Sequence, residues 1–145
     1  MRLAVLALTL AACSPALRAQ IKERRDVRTL GMAANEYWMA VRWNDPGRAS
    51  QYLETAEERL RLGRIVSEPK VRITDVSVMS VVVGEELPDD RLPEMREGVA
   101  LVRLESFDDR GGKVEVFTYE QHWVRDALGW KVDAEQSPLG SDRPW

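Results

Sequence analysis

The order of patterns along the chain predicts an α+β fold, with N-terminal helices packed on an antiparallel sheet of about four to five strands. Three observations carry this. Apolar residues recur at helical spacing only in the first half of the chain. β-Branched runs separated by glycine-bearing turns fill the second half. The length of 145 residues suits one domain with a core that needs neither disulfide nor metal. Hydrophobic residues make up 44% and charged residues 31%, which excludes wholesale disorder. A net charge of −3 leaves no electrostatic footprint for nucleic acid. One cysteine excludes an intrachain disulfide and a multi-cysteine zinc site, and one histidine excludes multi-histidine metal chemistry.

Residues 26 to 43 read as an amphipathic helix. Val27, Leu30, Ala34, Tyr37, Trp38 and Val41 fall three and four apart, and Asp26 is placed to cap the N-terminus. Asn44-Asp45-Pro46-Gly47 stops it. A short helix from 47 to 53 turns Tyr52 and Leu53 inward. Thr55-Ala56-Glu57-Glu58 matches a capping box, which opens a third helix running to Leu62 and closing at Gly63. Ile65 and Val66 suggest a short strand, and Val71 to Val83 a long one. Gly84 to Gly98, with two prolines and six acidic residues, reads as a loop. Strands follow at 99–107, 113–125 and 130–134, joined by turns at 108–112 and 126–129. Residues 136–145 form a tail.

The N-terminus carries an address. Arg2 precedes an apolar run from Leu3 to Ala12, ten residues long and about half of the roughly 20 that span a bilayer. The run ends in Leu10-Ala11-Ala12-Cys13. These residues resemble the lipobox of bacterial lipoprotein precursors. The resemblance implies a signal peptide over 1–12, lipid on Cys13 and a tether over 13–25. In Gram-negative lipoproteins a residue other than aspartate after the cysteine permits export, so in such a host Ser14 implies the outer membrane, facing the periplasm. Arg18, Lys22, Arg24 and Arg25 tilt the tether basic, which suits anionic headgroups and equally a solvated linker or the start of a helix.

The domain over 26–135 carries a second resemblance. A long helix is broken at Asn44-Asp45-Pro46, and a helical segment bearing Tyr52 and Leu53 follows. The chain then closes with His122-Trp123-Val124-Arg125, a tight turn and Gly129-Trp130-Lys131-Val132. This resembles the nuclear transport factor 2-like superfamily, which implies a cone formed by a curved sheet wrapped around a helix. Enzymes of that shape, such as polyketide cyclases and ketosteroid isomerases, move a proton with a pocket-facing His or Asp.

Candidate pocket residues are Tyr37, Trp38, Tyr119, His122 and Trp123, with Trp43 a further aromatic of the first helix; the same spacing also serves a helix core. His122 is the only side chain that titrates near neutrality without a large shift. By strand parity it shares a face with Val114, Val116, Thr118, Glu120 and Val124, opposite Phe117, Tyr119 and Trp123. If its face lines the pocket, Glu120 and His122 form a dyad, in which the carboxylate raises the histidine's pKa and makes it a worse base. The acidic run 85–97 lacks the ligand spacing of a calcium loop and reads as solvated. No phosphate loop, GxSxG elbow or HExxH motif occurs, so no catalytic residue, cofactor or metal ligand is assigned.

The resulting expectation is a lipid-anchored module that binds a small apolar ligand or a protein and does no chemistry. The alternatives are a small cyclase- or isomerase-type enzyme and an accessory subunit of an envelope machine. Strands 99–107 and 113–125 carry apolar residues on both faces, with Leu101 and Phe117 on one parity and Leu104 and Val116 on the other. That pattern predicts a cover for the outer face, either a second copy or an envelope partner.

Overall fold

The computed structural model describes residues 15–67, 72–86, 95–108 and 111–133. Helix α1 (Pro15–Arg42) leads into α2 (Pro46–Ala49), a single 3₁₀ turn (Ser50–Tyr52) and α3 (Ala56–Ser67). Four strands follow: β1 (Arg72–Glu86), β2 (Arg96–Asp108), β3 (Lys113–Asp126) and β4 (Gly129–Val132). They pair in chain order as an antiparallel meander. The α+β class and the helices-on-sheet layering are as the sequence predicts. The lipobox, Cys13 and the tail 136–145 lie outside the described residues, as do positions 87–94 of the acidic run.

Helix α1 starts eleven residues before the expected start at Asp26. Nothing between Pro15 and Asp26 breaks a helix, and proline is well placed in its first turn. The apolar periodicity therefore marks where packing begins, not where the helix begins. Asp26 is no cap; it lies inside the helix and is buried. The expected stop is real: Asn44 takes a φ of 54° and ends α1. Asp45 then caps α2, its Oδ1 accepting from the Arg48 amide at 3.0 Å, with Pro46 in the first turn.

The capping box forms as read. Thr55 Oγ1 accepts from the Glu58 amide at 3.2 Å, and Glu58 Oε2 accepts from the Thr55 amide at 2.9 Å. Helix α3 does not close at Gly63 but runs on to Ser67, so Ile65 and Val66 are helical rather than a strand. A glycine inside a helix costs about 1 kcal/mol relative to alanine, which weakens a helix without ending it. Strands β1 and β2 reach further into 84–98 than expected, to Glu86 and from Arg96. Gly112 and Gly129 adopt φ values of 63° and 123°, the left-handed turn geometry that glycine permits.

The core lies between α1 and one face of the sheet. Leu30, Ala34, Tyr37, Trp38 and Val41 meet Ala100, Val102 and Leu104 of β2, with Trp123, Trp130 and Val132 closing the far side. Val76, Val78, Val81 and Val83 of β1 pack at its edge. The β1–β2 register shifts at Ile73/Asp75, Val78/Ser80 and Val83/Glu86. Such bulges bend and twist the strand that carries them, and here they curve the sheet toward α1. Gly98 permits the close approach: a Cβ there would lie 2.5 Å from Leu30 Cδ2 and 3.1 Å from the Trp130 ring.

Candidate functional site

Four of the five predicted pocket residues come together in the interior. Tyr37 and Trp38 project from α1 onto the sheet, where Tyr119 and Trp123 rise from alternate positions of β3. Edge contacts link the rings: Tyr37–Trp38 at 5.2 Å, Tyr37–Trp123 at 6.0 Å and Trp38–Tyr119 at 5.6 Å between centroids. Tyr52 joins at 5.9 Å from Trp123, its hydroxyl donating to Glu36 Oε2 at 2.5 Å. Such edge arrangements place the positive rim of one ring on the negative face of the next. The aromatic residues fill this space with each other.

The centre of the cluster is a residue that the sequence reading passed over. Gln121 is fully buried between Tyr119 and Trp123 on the same strand face. Its Oε1 accepts from Trp38 Nε1 at 2.8 Å and from Trp123 Nε1 at 3.2 Å. Both indole donors are thereby satisfied in a dry environment. The signal was available: a long polar amide two residues from each of two aromatics faces inward with them. Gln121 Nε2 and the Tyr37 hydroxyl have no hydrogen-bond partner among the described residues.

His122 does not belong to this site. It pairs with Val99 on the opposite face of the sheet, between the inward-facing Gln121 and Trp123. The Glu120–His122 pair thus faces away from the aromatic cluster, because strand side chains alternate and Trp123 claims the core parity. Trp43 is likewise outside; it is exposed at the end of α1, with the Arg42 guanidinium 5.5 Å over its ring. The titratable groups of the cluster are tyrosines. Burial pushes the Tyr37 and Tyr119 phenols far above their ordinary value, and pushes Tyr52 up to about 12, so all three stay neutral. The interior offers ring faces and neutral polar groups. Those features suit packing or binding rather than proton transfer.

A second buried constellation was not foreseen. Asp26, 1% exposed, sits beneath the cross-strand pair Arg96 and Arg125. Its Oδ1 accepts from Arg125 Nη1, and Arg96 Nη1 lies 3.1 Å from Oδ2. Nearby, Trp130 Nε1 donates to Thr29 Oγ1 at 3.0 Å. These contacts fix the rotation of α1 about its axis at the point where packing begins.

Two clefts flank α1. One of about 460 Å³ runs between Gly31, Asn35 and β1 residues 76–81. The other, about 430 Å³, lies between α1 and β4 and is walled by Met32, Tyr52, Leu128 and Trp130. The outer face of the sheet is apolar in part. Val114 and Val116 are 61% and 51% exposed, Val82 is also exposed, and Val99, Leu101 and Val124 are half-buried. Leu104 and Phe117 prove to be cross-strand neighbours on the inner face, while Leu101 and Val116 lie on the outer one.

Among the described residues, no group of three or more His, Cys, Asp or Glu is placed to hold a metal, and no helix is long and apolar enough to cross a membrane. No family model matches the chain, and no curated protein matches it.

Proposed function

We propose that this protein is a lipid-anchored envelope lipoprotein, facing the periplasm from the outer membrane, whose cone domain is a non-catalytic binding module. The finer reading of the fold as nuclear transport factor 2-like belongs to this proposal. It is supported by the helices-then-meander order and by bulges that curve the sheet around α1. The observation that carries the binding reading is the contrast between the two sheet faces. Inside, the aromatic residues are committed to one another and to Gln121. Outside, Val82, Val114 and Val116 have no cover among the described residues. A second copy of the chain is the occupant proposed for that face. Its centre holds charges of both signs, Arg103 beside Glu105 and Asp75, which balance one another within the chain, and a self-complementary patch of this kind suits an isologous interface. The cyclase or isomerase alternative has less support, because His122 and Glu120 face away from the aromatic interior. An accessory role in an envelope machine would use the same outer face.

Two experiments test this. In a Gram-negative host, Cys13→Ala in the full chain should leave an unprocessed precursor missing from the outer-membrane fraction; normal processing and recovery would refute the anchor. The processed protein in mild detergent should sediment as a dimer, and Val116→Glu should weaken association by at least about tenfold, or roughly 1.4 kcal/mol. A clean monomer at micromolar concentration would overturn the second copy as occupant.

A further inference from the structure

Resting on the lipid-anchor reading, we infer that the N-terminal part of α1 is an interfacial element that lies against anionic lipid. Residues 15–25 are helical and make no part of the core, whose first member is Leu30. At 3.6 residues per turn, Leu17, Ile21, Arg18, Lys22, Arg24, Arg25 and Arg28 share roughly half of the helix circumference. Ala16, Ala19, Gln20 and Glu23 occupy the other half. The rotation is not free: Asp26 is locked beneath Arg96 and Arg125, so the side of α1 opposite it points away from the domain. Leu17 and Ile21, one turn apart on that outward side, are 45% and 58% exposed.

Paired aliphatic side chains flanked by long basic ones are the pattern of a helix lying at a membrane surface. The aliphatics enter the headgroup boundary, and the arginine and lysine stems reach up to the phosphates. In water the same arrangement gains little. The first turn of α1 has no acidic residue, and its bases sit at the end where the helix macrodipole favours anions. Charge selects the partner: Glu23 is the only exposed acid among residues 15–28, against four exposed bases, Arg18, Arg24, Arg25 and Arg28, while the chain as a whole is acidic at −3. An anionic leaflet attracts such a segment, and screening by salt weakens the attraction. Continuity selects a lipid source over an acidic protein, since the helix begins two residues after Cys13. The domain would then be held close to the bilayer at a set orientation by a helix lying down, rather than hanging from a flexible tether.

The full chain, processed in its host and reconstituted into vesicles, tests this by flotation and by amide hydrogen exchange. Two vesicle types are used: phosphatidylcholine alone, and equal parts phosphatidylcholine and phosphatidylglycerol. Flotation with neutral vesicles reports the anchor. The anionic-minus-neutral difference in exchange over residues 15–25 reports the helix. Protection there should rise on the order of tenfold on anionic vesicles and disappear in the Arg24→Gln, Arg25→Gln, Arg28→Gln variant. Unchanged protection of the β2 core amides shows that this variant is folded. Flotation with both vesicles but equal exchange would overturn the interfacial helix and leave the anchor standing. Flotation with anionic vesicles alone would overturn the anchor and retain the helix, and flotation with neither would overturn both.

Discussion

The two faces of the β2–β3 hairpin are built from alternate residues of the same two strands, yet they do opposite things. Gly98, Ala100, Val102, Leu104 and Ser106 are buried, while Glu97, Val99, Leu101, Arg103 and Glu105 between them are not. On β3, Gln121 and Trp123 lie inside and Thr118, Glu120 and His122 outside. Polarity alone does not sort them. A glutamine is fully buried and a valine at 116 is half in water. The sorting depends on where α1 lies and on whether each buried polar group finds a partner. Residues 113–116 show that parity alone does not bury a side chain: the inward-facing Lys113 and Glu115 are as exposed as the outward-facing Val114 and Val116. Gln121 shows the second condition, since two indole donors take its carbonyl.

Substitutions can break this contrast. The largest effect belongs to Trp123→Ala. It opens a cavity under α1 and deprives Gln121 of one donor, so we expect a loss of about 3–5 kcal/mol in urea unfolding. Asp26→Ala should rank close behind, by about 3–5 kcal/mol, because it leaves Arg96 and Arg125 together without their shared carboxylate. Native-state hydrogen exchange of this variant should show the hold on α1 lost first, as early exchange of amides near residue 26. Gly98→Ala puts a methyl group into Leu30 and Trp130 and should cost about 1–3 kcal/mol. The smallest effect is expected on the outer face: Val116→Thr should change unfolding stability by no more than about 0.5 kcal/mol while weakening self-association. A Val116→Thr loss comparable to that of Trp123→Ala would mean that the outer face is part of the fold's own core.

Much of the architecture was legible because it rests on local chemistry. Asn44-Asp45-Pro46 could only end a helix, Thr55 and Glu58 could only form their box, and Gly112 and Gly129 supplied the turns. Boundaries fared worse where local signals were neutral. Residues 15–25 are helix formers whose one apolar pair, Leu17 and Ile21, is too short to announce them, and Gly63 weakens α3 without ending it. At the site, Tyr37, Trp38, Tyr119 and Trp123 were named from spacing and parity, and they do converge. His122 was named for its titration chemistry, which says nothing about which way a strand side chain points.

By itself, the sequence determined the order of elements, the helix stops and turns, and the alternation that divides each strand between two faces. These follow from backbone preferences and side-chain periodicities that act within a few residues. Only the tertiary structure decided which parity of β3 is the inside. That choice turns on contacts between residues distant in the chain: Gln121 with Trp38, and Asp26 with Arg96 and Arg125. A buried amide or carboxylate is tolerated only when its partners arrive from elsewhere in the fold, and one strand's pattern cannot announce them.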